Sequence, residues 1–199
     1  MKNSTLVKRV ESVLDAHNSG DYEGTVFLLK RLAADGESAA CTILGEIFEY
    51  GRENIPRDYA EALRWYKEAL VRSYEPRAHL GIARIYHMGL GVEKDNSIAL
   101  QHLLKIDGEN QPGVHYLIGV LLSKVMADKH SLARAEENLR KGTVLGHLLA
   151  KATLGRFLIR TGRIITGLRL VFEAFRQMIP ITDVADWRIS ITWVFPDAK

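Results

Sequence analysis

The chain has 199 residues but one cysteine, Cys41, five prolines and no long apolar run. A single cysteine cannot close an internal disulfide, so no disulfide framework holds the fold. No stretch of about 18 apolar residues occurs, which argues against a membrane-spanning helix and membrane insertion. Near the N-terminus no signal-peptide apolar core follows Lys2; Lys8, Arg9 and Glu11 break up the apolar character there. These absences point to a cytoplasmic location, with signal-independent export left open. Charge of one sign is scarce too. The net of +3 is too small to argue for nucleic acid or a membrane surface. What remains, 47% hydrophobic and 26% charged residues, is ordinary globular material. A chain of this length buries roughly 70% of its unfolded surface.

Signatures of catalysis are equally missing. There is no HExxH, CxxC or HxH, no GxSxG and no phosphate loop with GK[ST]. MGLGV at 88–92 is a lone GxG between helical segments, not after a strand. Glu136 and Glu137 are neighbours in sequence and project from different helix faces. The chain is read as non-catalytic, with no cofactor.

Repetition is present instead. An apolar-Gly pair recurs at Leu44-Gly45, Leu80-Gly81, Ile118-Gly119 and Leu154-Gly155, spaced by 36 to 38 residues. That period fits two helices and a turn. In 39–50, Ala40, Ile43, Leu44, Ile47 and Phe48 make the apolar stripe of an amphipathic helix. Ala62, Trp65, Tyr66 and Ala69 make the matching stripe of the next. Gly45 costs helix stability of about 1 kcal/mol relative to Ala, and close approach of the partner helix is the expected return. Gly51 and Gly89 are placed to stop helices in the left-handed conformation, and Asp58 and Asp95 to cap the next ones. Glu61, three residues after Asp58, has capping-box spacing. Helices are expected near 4–18, 22–35, 37–50, 58–73, 75–88, 95–106, 111–126, 131–145, 147–161 and 164–178. Stacked in order, five such pairs make an all-α, right-handed α-α superhelix.

The segment LGEIFEYGRENIPRDYAEALRWYKEA resembles the Sel-one-like repeat family, a relative of the tetratricopeptide repeat. Leu44, Gly45, Phe48, Gly51, Asp58, Ala62, Trp65, Tyr66 and Ala69 carry the resemblance, followed by Ile82, Ala83, Tyr86, Gly89, Gly91, Val92, Asp95 and Ala99. In that register Ala83, not Gly81, takes the small-residue position. The likeness is strong over 39–105 and weakens over 113–178, where the loop glycines are lost. It divides the chain into a degenerate helix pair over 1–36, a solenoid over 37–178 and a capping segment over 179–199, one domain overall. It implies a non-catalytic scaffold or adaptor that binds a protein or peptide segment on its concave face. A regulatory subunit of a bacterial cell-envelope or polysaccharide enzyme is the alternative. Cys41 alone sets the chain apart from the disulfide-rich branch of that family.

Under the repeat alignment His79 and His115 share a column with Cys41. Packed helices lie about 8–10 Å apart, whereas zinc needs ligands about 2.0–2.3 Å away. One residue per repeat is too sparse for a metal, so no metal site is expected. Charge is unevenly spread. Residues 1–100 carry 13 basic and 15 acidic residues, and residues 101–199 carry 14 and 9. The basic excess peaks over 140–176 and offers a weaker polyanion reading. Without interleaved aromatics, nucleic acid is disfavoured.

If the first helix of each pair lines the binding face, its stripe can be read. The positions are Thr42, Glu46 and Glu49; Leu80, Arg84 and His87; Tyr116, Val120 and Ser123; then Ala152, Arg156 and Ile159. Glu46, Glu49, Arg84, His87, Tyr116 and Arg156 are the candidate partner-binding residues. In the tail, Val184, Trp187, Ile191 and Val194 fit a helix, while alternating Trp187, Ile189, Ile191, Trp193 and Phe195 fit a strand. A capping helix is expected. An uncovered tail would serve docking or self-association.

Overall fold

A computed structural model describes residues 2–106, 110–125 and 128–178. Among them the chain is all-α, with ten helices and no strand. Contacts divide it into two compact units, Met1–Asp107 and Gly108–Lys199. The first holds α1 (Lys2–Asn18), α2 (Tyr22–Ala34), α3 (Ser38–Tyr50), α4 (Tyr59–Arg72), α5 (Pro76–Met88) and α6 (Asn96–Leu103). The second holds α7 (Pro112–Val125), α8 (Lys129–Val144), α9 (Leu148–Arg160) and α10 (Ile164–Met178). The division falls inside the block expected to run over 37–178. In the first unit Val13, Val26 and Leu29, from the helix pair over 1–36, join one core with Leu44, Tyr66 and Ile82. The capping segment at 179–199, with its helix-or-strand question and its self-association reading, lies outside the described residues. No helix among the described residues is long and apolar enough to cross a membrane.

Within each unit, consecutive helices form hairpins, and each hairpin packs on the next through α2 with α3, α4 with α5, and α8 with α9. First helices also meet directly, α3 with α5 and α7 with α9. The helix ends follow from local chemistry. Gly89 closes α5 at φ 70°, ψ 41°, the left-handed conformation that spares a Cβ clash. Gly51 closes α3 differently from the expectation: φ is 70° but ψ is 169°, a region open essentially to glycine alone. The carboxylate of Asp95 accepts from the Ser97 and Ile98 N–H groups at 2.8 and 3.0 Å, and that of Asp58 accepts from Glu61 N–H at 2.9 Å. The capping box is half made, because the Glu61 carboxylate turns to Arg64 instead.

The centre of the first unit is Tyr66, fully buried on α4. A Cβ built on Gly45 of α3 would lie 2.5 Å from its Cδ1 and Cε1, and one on Gly81 of α5 would meet its Cε2 and Cζ closer still. Two glycines from successive repeats thus make the slot for one aromatic ring. This is the return for placing glycine within two helices. Ala83 is buried as well, but Gly81 is the residue against the ring. In the second unit, Gly155 and Gly167 perform a backbone-to-backbone approach, since a Cβ on Gly155 would lie 2.7 Å from the Gly167 carbonyl. That places α9 against α10. The outer face of α10 keeps Ile165, Leu168 and Phe172 exposed.

The Cys41 column has a structural explanation. His79 Nδ1 of α5 lies 2.9 Å from His102 Nδ1 of α6, and His115 Nδ1 of α7 lies 3.0 Å from Asn138 Oδ1 of α8. In both cases the partner follows 23 residues later, across its own hairpin. Among the described residues no three His, Cys, Asp or Glu side chains gather closely enough to hold a metal ion. One Nδ1 of the histidine pair must donate and the other accept, so the contact is lost when both imidazoles are charged. Burial, then the charge of His79 and nearby Lys105 and Lys67, lowers the His102 pKa to about 4. Burial and Lys105 lower His79 as well. The Tyr74 ring lies tilted against that of His79, with centroids 6.1 Å apart. The unfolded chain takes up these protons near pH 6.5, so the pair's contribution is complete above that value. It is lost as pH falls towards about 4. The thermal midpoint of the protein should therefore drop between pH 7 and 4.5. His102→Asn, which copies the His115–Asn138 arrangement, should flatten that slope. An unchanged slope would mean the pair does not sense acid.

Candidate functional site

The predicted stripe separates into two chemically different places. In the first unit its charges are spent internally. Glu49 is buried despite its carboxylate, with a side-chain exposure of 2%. Tyr66 Oη donates to its Oε2 at 2.7 Å, and Arg84 Nη2 donates to the same oxygen at 2.7 Å while Arg84 Nε takes Oε1. Burial, and then the bond to Glu49, pushes the Tyr66 phenol well above its ordinary pKa, so it remains a neutral donor. The Arg84 guanidinium also lies over the Tyr50 ring, 5.1 Å from its centroid. Glu46 is held in a two-pronged pair by Arg77. His87 meets Asn96 Oδ1 at 2.8 Å, which ties it to the start of α6. Four of the six candidates thus belong to closed networks. Glu49 in particular is a buried strut between α3, α4 and α5.

The second unit is open. Between α7 and α9 lies a cavity of about 310 Å³, lined by Tyr116, Val120, Ser123, Lys124, Thr153, Arg156, Phe157 and Arg160. Tyr116 and Arg156, the other two candidates, come together here, with Val120 and Ser123 of the same stripe. Tyr116 is fixed by stacking on His147, with ring centroids 4.8 Å apart. Phe157 is buried and forms part of the floor, whereas Lys124, Arg156 and Arg160 are exposed. Ser123 donates its hydroxyl to the Val120 carbonyl at 2.7 Å. Lys124 and Arg160 were absent from the stripe because they stand one residue beyond it, in the last turns of α7 and α9. A carbonyl-rich helix end favours a cation there.

The basic stretch over 140–176 is much less bare than its sequence implies. Arg140 and Arg163 share Glu136, Lys141 pairs with Glu137, and Lys151 and Arg169 converge on Glu173. Glu136 and Glu137 sit just ahead of the stretch on α8 and pair with Arg140, Arg163 and Lys141. Burial-resistant pairing holds the carboxyl of Glu136 below its usual range, chiefly through the Arg163 hydrogen bond. These pairs engage five of the eight basic residues of the stretch, and Arg156, Arg160 and Arg176 stay exposed outside them.

Residues 38–70 and 76–106 match the Sel1 repeat. The "ERAD-associated E3 ubiquitin-protein ligase component HRD3B" of Arabidopsis thaliana is 27% identical over 117 residues, which is 58% of this chain and 18% of that protein. The chain thus spans under a fifth of the plant protein's length. Among solved structures, a Sel1 repeat protein from Oxalobacter formigenes superposes with a TM-score of 0.62 at 20% identity, over 85% of this chain and 73% of that one. The protective antigen c5321 of uropathogenic Escherichia coli, described as displaying an SLR fold, gives a TM-score of 0.63 at 19% identity, over 77% of this chain and 32% of that one. These structures are alike in fold.

Proposed function

Because this chain is a Sel1-repeat protein, with its two repeats at 38–70 and 76–106, we propose that it is a non-catalytic adaptor that binds a protein segment in the groove between α7 and α9. Sel1 repeats generally mediate protein–protein interaction. The observation that carries the reading is the contrast between the two stripes. The α3/α5 stripe has its charges paired, while the α7/α9 groove presents polar and apolar groups with space between them. A cavity of about 310 Å³ is at the small end for a cofactor pocket. It suits one or two side chains of an extended segment lying along the groove. The plant relative is by name a component of a ligase, which supports a binding role within a larger assembly.

The test is site-specific cross-linking in the native host. A photoreactive side chain replaces Ser123 in the groove, or the exposed Val144 on α8. The groove position should yield a discrete protein adduct that the Val144 position does not. Identical adducts from both, or none from Ser123 while Val144 captures one, would move the binding face elsewhere.

A further inference from the structure

The internal repeat shows what the groove is missing. In the first unit the third stripe position of α3, Glu49, pairs with the second stripe position of α5, Arg84. The same two positions in the second unit are Ser123 of α7 and Arg156 of α9, which line one cavity. The arginine is kept and its carboxylate has become a serine. Arg156 consequently has no carboxylate partner among the described residues, and neither do Lys124 or Arg160 beside it. Five other cations of this unit, Arg140, Lys141, Lys151, Arg163 and Arg169, each have one, while Lys129, Arg134 and Arg176, which do not line the cavity, have none among the described residues. Replacing Glu by Ser also removes side-chain volume at the place where the anion would sit.

Resting on the reading of this groove as a protein-binding site, we propose that it selects an acidic side chain of the bound segment, an Asp or Glu whose carboxylate takes beside Arg156 the place that Glu49 holds beside Arg84. The Arg156 guanidinium supplies a two-pronged donor for a carboxylate. Lys124 and Arg160 add charge on either side, and the Thr153 hydroxyl lines the same space. Val120, Phe157 and the Tyr116 ring provide an apolar floor for the methylene stem of the acid and for a neighbouring residue. Pairing over such a floor is stronger than in open water. The two rings do not form a run of exposed aromatics along a strand-binding path, since Tyr116 has one face stacked on His147 and Phe157 is buried. That favours a carboxylate over a nucleic acid.

The test uses the full chain and pools of short peptides blocked at both ends, with a fixed central Glu or Gln and random flanks. The Glu pool should be retained roughly tenfold better or more, as a charge-assisted pair to arginine allows. Ser123→Glu, which rebuilds the internal pair, and Arg156→Gln should each erase the preference, while Ser123→Ala keeps it. Ser123→Glu should also raise the thermal midpoint, and adding Arg156→Gln should cancel the rise, which separates a filled site from a misfolded one. Equal retention of both pools, with Ser123 cross-linking intact, would overturn the acidic anchor and leave the groove standing. Loss of cross-linking at Ser123 together with loss of peptide binding would overturn both. A Glu preference that survives Ser123→Glu and Arg156→Gln would place the anion elsewhere. Stronger retention of phosphoserine pools, or of peptides with a free C-terminal carboxylate, would refute an acidic side chain as the source.

Discussion

Gly81→Ala should destabilise the protein by about 2 kcal/mol or more, although alanine is the better helix former. The added methyl falls against Cε2 and Cζ of Tyr66, and the ring cannot withdraw, because Gly45 already bounds its Cδ1–Cε1 side. Tyr66 is fully buried and its hydroxyl is fixed to Glu49. Relief must therefore come from moving α5 away from α4, which opens the core between two repeats. Gly81→Val should go further and leave the first unit unfolded at ambient temperature. The same change at Gly113, where a Cβ would meet nothing within 4 Å, should stabilise by roughly 0.5 kcal/mol. Chemical denaturation of the two alanine variants checks the pair. Equal shifts would mean that the Tyr66 slot is not as tight as its geometry.

The second large effect is at the buried ion pair. Arg84→Met should cost about 3–5 kcal/mol, because it strands the Glu49 carboxylate in the core with only the Tyr66 hydroxyl for a partner. Glu49→Met should cost less, about 3 kcal/mol, since the Arg84 side chain is 30% exposed and can recover some hydration. The double variant Glu49→Met with Arg84→Met should be far milder than the sum, as both desolvation penalties vanish together. A double-mutant cycle by urea denaturation measures this. Simple additivity would show that the two side chains are not coupled.

The helices and their pairing were legible because the stripes repeat at helical spacing and because glycine and aspartate punctuate the turns. Gly45 was legible as a point of close approach. Ala83 takes the small-residue position in the repeat register and is buried, yet Gly81 is the residue against the Tyr66 ring. Glu49 was read as part of an open face. Periodicity separates two sides of a helix, but α3 is packed by α2, α4 and α5, so little of it is open. What turns a carboxylate inward is an arginine 35 residues away, and no local pattern reports that. The spacing is close to one repeat, so an acidic residue in one stripe with a basic residue about a period later was the available signal. It also exposes Ser123 and Arg156 as the position where that signal breaks. Two of the counter-charges for the basic stretch over 140–176, Glu136 and Glu137, stand just outside it, so a count within the stretch misses their pairs with Arg140, Arg163 and Lys141.

Both units use the same stripe for opposite ends. The α3/α5 stripe spends its charges on holding repeats together, and the α7/α9 stripe leaves its arginine available. The most direct measurement of that distinction is amide hydrogen exchange of the full chain, free and bound to the protein captured through Ser123. Slowed exchange should be confined to the groove-lining parts of α7 and α9, around 116–124 and 153–160, with α3 and α5 unchanged. Protection centred on α3 and α5 instead, or on the exposed face of α10, would contradict the assignment of the α7/α9 groove as the binding site.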